Sequence, residues 1–158
     1  MLDYAHKQFK TSQAAEACKM APPTLRGYLH RGEFRAIGKK ADQPGLATLF
    51  SLRDVMVFAV AARLIEFNVP PKVAFGIGVE FGHFGDDDRD PASMFDFREK
   101  GETFIAYWPD SQTAEVIAGD DIKGLYDIGI SISQSEAVIL IKLNPIERQV
   151  FAALGFGA

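Results

Sequence analysis

Residues 20–34 read Met-Ala-Pro-Pro-Thr-Leu-Arg-Gly-Tyr-Leu-His-Arg-Gly-Glu-Phe, and the fold of the first half of the chain turns on this stretch. Pro22 and Pro23 have a fixed φ and lack the amide donor that only a first helical turn can spare, so a helix starts near Pro23. Leu25 and Leu29 stand four apart on one face that must be buried, whereas Thr24, Arg26, Tyr28, His30 and Arg31 spread over the remaining surface. Gly32 ends the helix in a left-handed cap at little steric cost. A preset start, a basic and aromatic outer surface and a glycine stop read together as a DNA-recognition helix leading into a wing.

Upstream, Thr11 or Ser12 can cap a short helix running from Gln13 to Cys18, with Glu16 at a spacing suited to a capping box. A tight joint at Lys19, Met20 and Ala21 then gives two short helices in helix-turn-helix order. Downstream come Arg35, Lys39 and Lys40, the turn signal Asp42-Gln43-Pro44-Gly45 and the apolar run 46–50, which together predict a basic hairpin, the wing. Ser51 caps a longer amphipathic helix from Leu52 to about Phe67, closed by Asn68, Val69, Pro70 and Pro71.

In this order of parts, from about Phe9 to Ala74, the chain resembles the winged helix-turn-helix domain of MerR-type transcriptional regulators. The resemblance rests on Thr11 with Ala14 and Ala15, on Thr24-Leu25-Arg26-Gly27-Tyr28, on Arg31-Gly32, and on Phe50-Ser51-Leu52-Arg53-Asp54. It implies that Tyr28 and Arg26 contact phosphate or base edges, roles that a phenol hydroxyl and a guanidinium fork suit. Thr24, near the helix start, is in position to meet a base edge or a thymine methyl. The chain departs from the family at two points. Thr48 stands where an arginine commonly precedes the last aromatic of the wing, so Arg35, Lys39 or Lys40 takes over the wing contact to phosphate. After Ala74, glycines 76, 78, 82 and 85 lead into Asp86-Asp87-Asp88-Arg89-Asp90-Pro91, a sequence that cannot sustain the heptads of the family's dimer helix.

A content of 47% apolar residues in 158 argues for a folded core rather than disorder. The net charge of −4 hides a division. Residues 1–72 carry eleven Lys/Arg against six Asp/Glu, a balance of +5, and residues 73–158 carry six against fifteen, a balance of −9. A positive first half attracts phosphates, and an acidic second half is held off the duplex. No run approaches the roughly 18 apolar residues of a membrane span, and the first ten residues lack the apolar core of a signal peptide, so the expected location is the cytoplasm. The single Cys18 excludes an intrachain disulfide and fits that location.

In the second half, residues 95–98 and 103–108 read as strands joined by the hairpin-like turn 99–102, and 115–118 as a shorter strand. Residues 137–143, Ala-Val-Ile-Leu-Ile-Lys-Leu, read as a strand buried on both faces. Asn144-Pro145 opens a terminal helix to Leu154, whose Ile146, Val150, Phe151 and Leu154 form an apolar stripe stopped by Gly155. The expected job of this module is oligomerisation, since a small sheet cannot easily hide so many apolar side chains.

Other chemistries fail at the residue level. Asp86, Asp88 and Asp90 match the first ligand positions of an EF-hand, but Pro91 and Phe97 stand where its Gly and Glu are needed, which leaves a solvated acidic linker. His6, His30 and His83 have no ligand-spaced partner for zinc or for a catalytic base. Ser131 and Ser133 alternate as in a strand without a nucleophile elbow, and Gly76-Ile77-Gly78 lacks the third glycine of a dinucleotide loop. Trp108 and Tyr107 read as core or interface packing.

The sequence therefore predicts an α+β protein, with a winged helix-turn-helix over 1–75, a glycine-rich acidic linker over 76–92 and a small α+β module over 93–158. The expected function is sequence-specific binding of double-stranded DNA by a transcriptional regulator, a repressor acting by occupancy as a homodimer through its C-terminal half. Its DNA-binding residues are Thr24, Arg26, Tyr28, Arg31, Arg35, Lys39 and Lys40. No cofactor, metal, membrane or enzymatic activity is expected, and no effector is identified. The alternatives are a phage excisionase-like protein that bends DNA and a protein-interaction adaptor.

Overall fold

The computed structural model describes residues 7–35, 47–124 and 136–156. In chain order these form β1 (Gln8–Lys10), α1 (Thr11–Ala17), α2 (Pro22–His30), β2 (Leu49–Ser51), α3 (Leu52–Glu66), α4 (Pro71–His83), α5 (Phe97–Lys100), β3 (Thr103–Trp108), β4 (Thr113–Ala118), a 3₁₀ turn (Gly119–Gly124), β5 (Ile139–Lys142) and α6 (Asn144–Ala153). The architecture is mixed helix and antiparallel sheet, in agreement with an α+β class.

The first sheet has two strands, β1 and β2, in a register that sets Phe9 opposite Phe50, both buried. A partner for the run 46–50 was expected inside the wing. Among the described residues its partner is instead Gln8-Phe9-Lys10, whose polar-apolar-polar alternation turns Phe9 into the core. The turn signal Asp42 to Gly45 lies outside the described residues, as do Lys39 and Lys40.

Helix α3 begins as its capping residues dictate. Ser51 Oγ accepts from the Asp54 amide at 3.2 Å, and Asp54 Oδ2 accepts from the Ser51 amide at 2.9 Å. The helix is buried from Asp54 through Ala61 and again at Leu64, which makes it the central element of the core. Phe58 is the aromatic hub, with Phe34 at 4.9 Å and Phe50 at 5.0 Å, both edge-on. Such pairs add about 0.5–1.5 kcal/mol each beyond the area they bury.

The glycines after Ala74 do not end helical structure: residues 76–83, expected as the start of a linker, continue α4. Gly78 and Gly82 face α3 so closely that a Cβ would lie 2.6 Å from Val57 O at the first and 2.6 Å from Val57 Cγ2 at the second. Close packing outweighs the low helix propensity of glycine here, because only a residue without a side chain lets the two backbones approach.

The acidic run that follows is organised around a cation. Arg89, expected within a solvated linker, is only 6% exposed. Its guanidinium donates to the carbonyls of Phe81 (3.3 Å), Phe84 (3.0 Å) and Asp90 (3.1 Å), and its Nε lies 3.5 Å from Asp86 Oδ2. Orphan carbonyls at the end of α4 thus receive donors from a side chain. Burial lowers the Arg89 pKa from its ordinary value, against the opposing pull of Asp86.

The second sheet has the order β4-β3-β5, all antiparallel. Residues 95–98, expected as a strand, lead instead into the short helix α5. The Asp96 carboxylate accepts from the Arg98 amide at 2.8 Å, and Gly101, at φ 74°, closes the turn. The run 137–143 also differs from expectation. β5 sits at an edge of the sheet with Ile141 buried, whereas Val138 and Leu140 are exposed, because an apolar run records hydrophobicity and not the number of faces a neighbour covers. One buried cluster takes in residues from both halves of the chain, from Phe9, Leu25 and Phe58 to Ile105, Ile141 and Val150. Gln149 of α6 donates to Ala17 O at 2.9 Å, satisfying a carbonyl at the end of α1.

Candidate nucleic-acid interface

Ala14, Ala15 and Ala17 have no exposed surface, and their small size lets α1 lie close to its neighbours. The helix stops at Lys19, φ 54°, where the Met20 amide reaches back to Ala15 O at 2.9 Å. Cys18 is buried at this corner and its thiol donates to Val55 O at 3.4 Å; burial pushes its pKa up, so it stays a neutral thiol.

Helix α2 starts at Pro22, as its two prolines require. It ends where Gly32, φ 74°, lets the amides of Gly32 and Glu33 reach Leu29 O (3.2 Å) and Tyr28 O (3.1 Å). Leu25 is fully buried and Leu29 half-buried, so the expected inner face is the observed one. Thr24, Arg26 and His30 are exposed. At about 100° per residue, Thr24, Tyr28 and Arg31 fall on one side of the outer surface and Arg26 with His30 on another, with the bare backbone of Gly27 between them.

Of the seven residues chosen from sequence, the structure brings Tyr28 and Arg31 into contact. The Arg31 guanidinium stands 4.9 Å from the centre of the Tyr28 ring, and its Nε lies 3.9 Å from Glu33 Oε1. Tyr28 is half-buried and meets Phe75 of α4 edge-on at 5.4 Å, so its ring anchors α2 to the core as well as facing outward. Arg35 is exposed just beyond Phe34, which is buried. Lys39 and Lys40 lie outside the described residues.

The pair Asp54 and His83 escaped the sequence reading. Asp54 has no exposed surface; its Oδ1 lies 3.1 Å from His83 Nε2 while Oδ2 receives the Ser51 amide and hydroxyl. Asp54 is visible in sequence as the partner of Ser51, but nothing marks a histidine 29 residues away. Among the described residues, no three His, Cys, Asp or Glu side chains gather to hold a metal. A groove of ≈ 830 Å³ opens elsewhere, between α4 and the β3–β4 hairpin, lined by Ile77, Glu80, Phe84 and Ile105 among others. No helix among the described residues is long and apolar enough to cross a membrane.

No protein-family model matches the chain. No curated protein matches it in sequence.

Proposed function

We propose that this protein is a sequence-specific, double-stranded DNA-binding transcriptional regulator that represses by occupancy as a homodimer. In this reading α1 and α2 form a helix-turn-helix, α2 enters the major groove, and the basic residues between α2 and β2 contact the flanking backbone. Thr24 and Arg26 meet base edges or phosphates, Tyr28 and Arg31 meet phosphate oxygens, and Arg35, Lys39 and Lys40 are the residues on the flanking backbone.

The observation that carries the reading is the mounting of α2. Leu25 and the contact of Tyr28 with Phe75 fix its inner side, and its outer side presents exposed Thr24, Arg26 and Arg31. A short helix held in this way and bearing an outward fork of donors suits a groove lined with acceptors. The surplus of Lys/Arg over Asp/Glu in residues 1–72 supports it, since attraction to phosphate provides a large share of the affinity of such complexes.

Selection of bound duplexes from a random-sequence pool by the full chain tests the proposal. The expected result is enrichment of a two-fold symmetric site with half-sites about 34–36 Å apart or a multiple of that. The Arg26→Ala variant should bind that site about 1–3 kcal/mol more weakly with relaxed preference at one position. A pool that emerges without enrichment overturns sequence-specific recognition, and unchanged binding by Arg26→Ala overturns the role of that residue.

A further inference from the structure

Strand β5 lies at a sheet edge. It pairs with β3, and no strand among the described residues pairs along its other side. Natural proteins guard such edges with lysine, proline, bulges or a covering element. β5 carries one lysine, Lys142 at its last position, and no proline, and the residues before that lysine, 138–141, are Val-Ile-Leu-Ile. Val138, just before β5, and Leu140 within it are 43% and 41% exposed. Leu140 also lines a groove of ≈ 490 Å³ together with Phe67, which is 53% exposed. The groove is mixed, with Lys19, Arg63, Lys142 and Gln149 beside these apolar side chains, so the exposed apolar surface at this edge is Val138, Leu140 and Phe67.

The sequence of this edge is complementary to itself. Antiparallel pairing of two copies about a two-fold axis at Ile139 sets Val138 opposite Leu140 of the second copy and Leu140 opposite its Val138. The same register sets Glu136 opposite Lys142 of the second copy, twice over by symmetry. An axis moved to Val138 or to Leu140 puts a charge against an apolar side chain, Leu140 against Glu136 in the first case and Val138 against Lys142 in the second. Lys142 already pairs with Glu102, the residue before β3, so a second carboxylate completes its surroundings.

We propose that the protein forms a two-fold homodimer by antiparallel pairing of residues 136–142, β5 and the three residues before it, with the same stretch of a second copy, in the register centred on Ile139, which joins two three-stranded sheets into one. Main-chain hydrogen bonds hold the edge, the Val138 and Leu140 pairs cover the exposed face, and the Glu136 and Lys142 pairs fix the register. The dimer provides the symmetric partner that the DNA-binding reading calls for, and to that extent rests on it. Its test is made without DNA, so the two can fail separately.

The test is the mass of the full chain in solution, by sedimentation or light scattering over a range of micromolar concentrations. The wild type is expected at twice the monomer mass. Glu136→Lys sets lysine against Lys142 at both ends of the pairing and raises the dimer dissociation constant about tenfold or more. Adding Lys142→Glu to it restores opposite charges and the dimer. Leu140→Lys, at an exposed position that leaves both charged residues in place, also weakens the dimer while the circular dichroism spectrum is kept. A monomeric wild type, its edge covered by another part of the chain or by a different protein, overturns the proposal. So does a dimer that survives Leu140→Lys, or a folded double variant that stays monomeric.

Discussion

His83 Nε2 stands 3.1 Å from Asp54 Oδ1, and through that carboxylate the last turn of α4 is tied to Ser51, the residue at which β2 becomes α3. A fully buried carboxylate is tolerated because each oxygen has a partner.

Asp54→Ala removes the acceptor for three groups at once, the Ser51 amide, its hydroxyl and the His83 ring. Stability should fall by about 1–3 kcal/mol, the cost of leaving buried polar groups without partners. Urea unfolding measures it, and a midpoint equal to that of the wild type would remove the structural role assigned to the pair.

Gly78→Ala and Gly76→Ala make a matched pair on one helix. A Cβ at Gly78 meets Val57 O at 2.6 Å, whereas at Gly76 it meets nothing within 4 Å. The first should destabilise by about 1–3 kcal/mol or more through overpacking. The second should stabilise by roughly 0.5–1 kcal/mol through helix propensity. Thermal melts that move in the same direction for both would contradict the close approach of α4 to α3.

These contrasts mark how far the sequence carries. Pro22, Gly32, Ser51, Asn68 and Gly155 announce their helix ends because each acts locally, through a fixed φ, a left-handed residue or a cap. Gly78 and Gly82 misled because their role is set by Val57, a residue distant in the chain. Arg89 lies among four aspartates and reads as solvated, yet it folds the loop from inside through carbonyls that carry no residue-type signature. Of the candidate site, the inner face of α2 was legible from Leu25 and Leu29. The anchoring of Tyr28 on Phe75 was not, because helical spacing does not say which neighbour comes to meet an aromatic ring.

Tyr28→Phe separates packing from recognition. The ring contact with Phe75 is kept and only the hydroxyl is lost. Thermal stability should stay within about 0.5 kcal/mol of wild type, the range of benign surface changes, while duplex affinity falls. Unchanged affinity would confine Tyr28 to packing.

Glu147 gives the fold a pH dependence of definite sign. Burial raises its pKa, with Arg148 pulling weakly the other way. A raised folded-state pKa means that its contribution to stability is fully present below the free glutamate value of about 4.3 and is lost as pH rises through the higher folded value. Glu147→Gln should therefore be more stable than wild type at neutral pH, with the gap closing as the solution is acidified below that value. Melting curves recorded across this range check it, and a gap that does not change with pH would contradict the assignment.

The most direct measurement is the fluorescence anisotropy of a labelled duplex titrated with the full chain at rising salt. Binding should be firm in dilute buffer, with the logarithm of the association constant falling linearly against the logarithm of salt concentration, and the slope should flatten by about one for each phosphate-contacting Lys or Arg removed. A purified, folded protein that leaves the anisotropy of double-stranded DNA unchanged even at the lowest salt would contradict the account.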